Sequence, residues 1–155
     1  MCFVLYAGTT IALPRKMFDK DAPNLSVESL TERDAPIKRH FSNPEVQYIG
    51  STSGCGCDFP HVILQNGEWP TIEDTEKDEL DVARDISDRR NKEALVALLQ
   101  TTGDKTVELY GVWDGGNEVF DKPPQAQEEI SVQRLLESEF RFKEQGFYKL
   151  HLAPD

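Results

Sequence analysis

The chain changes its periodicity once, abruptly, and that change limits what it can fold into. Up to about residue 64, Gly, Pro, Asn and Ser interrupt it every few positions, and its apolar residues come in short runs. From about 73 to 102 it reads as one unbroken helix, and after Gly103 the short runs return. Short apolar runs bounded by turn residues are the mark of strands, and a long run with pairs at i,i+4 is the mark of a helix. One long helix between two β-rich segments points to an α+β arrangement. At 155 residues the chain suits a single hydrophobic core. The expectation is one α+β domain over 1–155, with a mixed or antiparallel sheet and two main helices.

Residues 2–8 read Cys-Phe-Val-Leu-Tyr-Ala-Gly, a short apolar run and therefore a buried strand. Residues 25–30 and 46–49 read as further strands. Between them lies a helix that Asp34 caps, Pro36 opens and Asn43-Pro44 stops. A short strand is expected over 61–64. The long helix has two capping boxes at its start, 71–74 and 75–78, and Gly103 beyond its end. Its apolar positions are sparse at first (Leu80, Ala83, Ile86) and dense later (Ala94, Leu95, Ala97, Leu98, Leu99), which predicts a surface half followed by a packed half. Beyond it come a strand at 106–113, a turn at 114–117 and a strand at 130–135. The segments 140–142 and 147–152 form either a hairpin or a helix followed by a strand.

The two ends of the chain echo each other. Phe3-Val4-Leu5-Tyr6-Ala7-Gly8 has a counterpart in Val107-Glu108-Leu109-Tyr110-Gly111, and Leu25-Ser26-Val27-x-x-Leu30 has one in Ile130-Ser131-Val132-x-x-Leu135. Duplication and coincidence are equal readings of such short matches. Duplication predicts pseudo-repeats over 1–64 and 106–155, joined by the helix of about 73–102.

Charge and cysteine usage narrow the function classes. Against 28 Asp+Glu stand 17 Lys+Arg, a formal net charge of -11. That field repels phosphate backbones and no basic cluster offsets it, so nucleic acid is not expected as a partner. No apolar run approaches the roughly 20 residues of a membrane-spanning helix, so no membrane is expected either. The three cysteines, Cys2, Cys55 and Cys57, are an odd number without an export signal, which predicts reduced thiols and a cytoplasmic location.

The densest local signal is Gly50-Ser51-Thr52-Ser53-Gly54-Cys55-Gly56-Cys57-Asp58-Phe59. It ends without the Lys-Ser/Thr of a phosphate loop. Three readings stay open. In the first, Cys55 and Cys57 ligate a soft metal such as zinc, because glycines let the backbone curl until both thiolates converge. The remaining ligands would come from His61, Cys2 and Asp58, with Cys2 in reach only if the first strand lies beside the Tyr48 strand. In the second, the loop serves a thiol-dependent enzyme, with Cys55 or Cys57 as redox centre or nucleophile and His61 as base. In the third, the glycines make a turn and the cysteines are small buried apolar residues. The leading expectation is a small cytoplasmic binding or interaction protein whose loop is a candidate zinc site, with the structural reading of the loop set ahead of the metal one; no complete catalytic constellation is present.

Tyr48-Ile49-Gly50-Ser51-Thr52 resembles the second half of the GIY-YIG nuclease signature. That family sets its two tracts close together, whereas Tyr6 and Tyr48 are forty-two residues apart, so the match is accidental. The strand Cys2-x-x-x-Tyr6, Val27-x-x-Leu30, Tyr48-Ile49-Gly50-Ser51 and Gly54-Cys55-Gly56-Cys57-x-Phe59 together resemble a group of small bacterial proteins with no assigned function, a resemblance that spans most of the chain and implies no activity.

Overall fold

A computed structural model describes residues 2–63, 79–115 and 117–153. Among these, the elements are β1 (Cys2–Thr9), β2 (Ser26–Ser29), β3 (Glu45–Gly50), β4 (His61–Val62), α1 (Glu79–Gln100), β5 (Thr106–Asp114), β6 (Ala126–Ser131), α2 (Val132–Leu136), β7 (Phe142–Lys143) and β8 (Gly146–His151). The fold is α+β: a six-stranded mixed sheet in the order β2-β3-β1-β5-β8-β6, with a small second sheet of β4 and β7. The expected capping boxes at 71–74 and 75–78, and the end of the strand predicted over 61–64, lie outside the described residues.

β1 is central because both of its faces are apolar. Side chains alternate across a strand, so Phe3, Leu5 and Ala7 enter one core cluster with Leu95 and Leu99 of α1. Val4 and Tyr6 enter a second cluster with Tyr110, Val112, Ile37 and Phe120. The helix follows its pattern at Leu95 and Leu99, fully buried, and at Ile86, 68% exposed, but not at Ala97, which is exposed. Gly103 follows with φ of 76°, the left-handed conformation that ends a helix.

Three local expectations are corrected. The segment Asp34 was to cap is a 3₁₀ helix, Ala35–His40, and Asp34 makes no cap bond. Its carboxylate instead accepts from Thr31 N–H and from Tyr6 Oη at 3.0 Å. The strand predicted at 130–135 begins four residues earlier, and its second part is α2, because Ser131 accepts a hydrogen bond from the Arg134 N–H and caps a helical turn. Residues 140–152 form neither predicted arrangement: β7 turns away from β8 and pairs in parallel with β4. A 3₁₀ helix, Asn117–Asp121, lies between β5 and β6; the turn predicted at 114–117 includes Gly116, which lies outside the described residues.

Strand order has an internal regularity. On one side of the β1–β5 pair lie β3 and then β2; on the other lie β8 and then β6. In each half the last strand sits beside the central one and the middle strand takes the edge. The edges differ in sense, since β2 runs antiparallel to β3 and β6 runs parallel to β8. Tyr6 and Tyr110, matched in the sequence echo, face each other across the central pair.

Glu108 of β5 fastens the turn that leads into β3. It is 7% exposed, and its carboxylate accepts from Asn43 N–H at 2.7 Å, Ser42 N–H at 3.1 Å and Ser42 Oγ at 3.0 Å. Glu108→Ala strands these donors, and the expected loss is about 3 kcal/mol of unfolding free energy. Urea denaturation measures it; a loss below about 1 kcal/mol would mean that water re-solvates the turn.

Candidate metal centre

The three cysteines converge. Their Sγ atoms all lie within 4.8 Å of one another, although Cys2 is separated from Cys55 by most of three strands. The condition set by the sequence is met, because β1 pairs antiparallel with β3 and Tyr6 sits opposite Tyr48. Following that ladder toward the start of β1 brings Cys2 beside the loop that leaves β3. None of the three is buried: Cys2 and Cys55 are half-buried and Cys57 is exposed. Packing as small apolar residues, the third reading of the loop, therefore does not account for their placement.

The loop owes its shape to two glycines and a short hydrogen-bond ladder. Ser51 N–H donates to the Cys55 carbonyl at 2.8 Å, and Gly54 N–H donates to the Ser51 carbonyl at 3.0 Å. Gly54 has φ of 95°, which side-chain-bearing residues rarely adopt. Gly56 lies so close to β1 that a Cβ there would stand 2.3 Å from the Phe3 carbonyl oxygen. A 3₁₀ turn, Gly56–Asp58, follows, with Cys55 at its N-cap. Helix α1 holds the loop from the other side: Asn91, fully buried, accepts from Thr52 N–H at 3.0 Å and donates to the Ser87 carbonyl at 2.9 Å.

Donors surround the sulfurs. Cys57 N–H points at Cys55 Sγ at 3.4 Å, and Ser53 Oγ lies 3.9 Å from the same sulfur. Burial pushes the Cys55 thiol up, but the bonds from Cys57 N–H and from the Cys57, Ser53 and Cys2 side chains outweigh it, and Cys55 titrates below the ordinary cysteine range. Cys57 goes the other way. Burial raises it, a bond from Phe3 N–H lowers it, and the neighbouring Cys55 and Cys2 sulfurs raise it again, to about 11. Tyr48 is pushed up to about 12, first by burial and then by Cys55, Glu28, Cys2 and Cys57.

The cluster separates two depressions. Cys2 and Cys55 line a groove of about 410 Å³ with Tyr6, Tyr48, Arg33 and Asp114. The Arg33 guanidinium grips Asp114 through two bonds, of 2.8 and 2.5 Å, and holds that carboxyl below its usual range. Cys57 lines a smaller pit of about 150 Å³ with His61, Asp88 and Arg141. Of the other proposed ligands, neither His61 nor Asp58 joins the group of atoms within 4.8 Å. The His61 ring stacks on Phe3 with centroids 4.5 Å apart, and its Nδ1 lies 2.7 Å from the Phe59 carbonyl. Among the described residues, no helix is long and apolar enough to cross a membrane.

Sequence reasoning missed Asn91, Phe3 N–H and Tyr48 as parts of this site. Only Asn91 left a signal, a polar residue at the start of the dense apolar half of the helix. The chain matches no family model, no curated protein and no solved structure.

Proposed function

We propose that this is a small cytoplasmic binding protein that holds one soft metal ion, zinc foremost, on Cys2, Cys55 and Cys57. The observation that carries the reading is the convergence of three sulfurs from two distant parts of the chain. At a Zn–S distance of about 2.3 Å, tetrahedral geometry sets sulfurs about 3.8 Å apart, so a contraction of about 1 Å or less closes the site. Thiolate ligands select soft or borderline ions over magnesium or calcium. A fourth donor reaches the ion from the groove or, after a shift, from His61. Reduced thiols suit a reducing compartment.

The test is a zinc titration of reduced, tag-free protein against a competing chelator, with thiol alkylation mapped by mass spectrometry before and after chelation. One zinc per chain, with all three thiols protected until it is removed, supports the reading. No bound metal and three equally reactive thiols overturn it.

A thiol-dependent activity is the second reading. It is favoured by the split between Cys55 and Cys57 and by the pit that Cys57 shares with His61. In metal-free protein it predicts that Cys55 begins to alkylate at lower pH than an ordinary thiol, while Cys57 stays slow until the pH nears 11. The sign follows from the thiolate being the reactive form: the lower the pKa, the lower the pH at which alkylation begins. Equal rates at Cys55 and Cys57 across that range would count against it.

A further inference from the structure

We propose that a second groove, remote from the thiols, binds a single-chain amphiphile ending in a carboxylate, such as a medium-chain fatty acid. It encloses about 580 Å³ between the C-terminal half of α1 and β2 and is walled by Leu25, Val27, Ala97 and Leu98. That volume falls within the range of small-molecule sites. The walls differ in kind. Leu25 and Val27 are 4% and 2% exposed and belong to the main core. Ala97 is exposed, and its small side chain leaves the helix surface open where the apolar pattern predicted packing.

Two exposed cations, Arg15 and Lys16, line the same groove. Paired backbone hydrogen bonds between Lys16 and Val27, of 3.0 and 2.8 Å, fix their segment along the edge of β2. Among the described residues, neither cation has a carboxylate partner, although Asp and Glu outnumber Lys and Arg by 28 to 17. Two adjacent unpaired cations on an apolar groove complement a ligand with an anionic head and an apolar tail. The planar guanidinium of Arg15 matches a carboxylate through two parallel hydrogen bonds.

Calorimetric titration with octanoate, decanoate and dodecanoate, each below its micelle concentration, tests the assignment against the 1-alkanols of equal length. The expected result is one saturable site whose affinity rises about two- to fourfold per added methylene. The carboxylate should bind about tenfold tighter than the alcohol, as expected for a charge-assisted pair of bonds. R15Q/K16Q removes that head-group preference and keeps the chain-length trend, while Ala97→Trp fills the groove and abolishes binding. Both changes are at exposed positions, and circular dichroism of the free variants checks that they fold. Absence of saturable binding, equal affinity for acid and alcohol, or binding unaffected by Ala97→Trp overturns the proposal. So does capture by anionic phosphatidylglycerol vesicles without dodecanoate binding, which would make the face a lipid-surface contact.

Discussion

Cys55→Ser lowers zinc affinity by at least about a hundredfold and leaves the metal-free protein folded. Serine is nearly isosteric with cysteine but offers a hard, protonated oxygen in place of a soft thiolate. Even partners outside the coordination sphere are worth 10- to 100-fold in metal affinity, so loss of a ligand is expected to exceed that range. Cys2→Ser and Cys57→Ser give the same result under this reading. Stability of the metal-free form should barely change, because Cys57 is exposed and Cys55 half-buried. A merely structural loop predicts the reverse: no metal in the parent, and variants distinguished only by their melting temperatures. Affinity also carries a pH signature. Cys57, at about 11, must give up its proton to bind, so affinity falls by at least about tenfold for each unit below neutrality. Competition titrations at pH 6, 7 and 8 measure the slope, and a flat profile would remove Cys57 from the ligand set.

Gly56→Ala is expected to destabilise the protein by about 2–3 kcal/mol and to abolish metal binding with it. The new Cβ would meet the Phe3 carbonyl oxygen at 2.3 Å and Val4 Cα at 3.2 Å. Both are backbone atoms of β1, which is hydrogen-bonded to β3 on one side and β5 on the other, so the strand cannot yield without breaking two ladders. The loop must move instead, and Cys55 and Cys57 move with it. Gly103→Ala is the control: its φ is 76° and nothing lies within 4 Å of the added carbon, so only conformational strain of about 1 kcal/mol is expected, with metal binding intact. Chemical denaturation and zinc titration of both variants check this. Retained metal affinity in Gly56→Ala would show that the close approach to β1 does not position the thiols.

The central strands were legible in the sequence because burial on both faces leaves a continuous apolar run, as in β1 and β5. The edge was not. β6 is exposed at Gln127, Glu128 and Glu129, so its polar sequence hides a strand whose hydrogen bonds come from β8. The parallel pairing of β4 with β7 joins two-residue strands eighty positions apart, and no local pattern encodes it. At the thiols, the pair Cys55 and Cys57 was visible, and Cys2 was conditional on a strand neighbour that chain order alone does not specify. The Asn91 contact that secures the loop depends on where α1 lies over the sheet, a product of packing at Leu95 and Leu99.

The placement of Cys2 in the first strand and Cys55 beyond the third has a thermodynamic reach larger than the loop itself. An ion shared by those two sulfurs would close a ring of about fifty residues, containing β1, β2 and β3 entire. By the chain-entropy argument for cross-links, a ring of that size removes about 4 kcal/mol of disorder from the unfolded chain. The ion would act on the unfolded ensemble as a staple for three strands at once. Its removal would then lower the unfolding barrier or equilibrium of the whole β2-β3-β1 side of the sheet, while the β5-β8-β6 side, which contributes no sulfur, would keep its own cohesion.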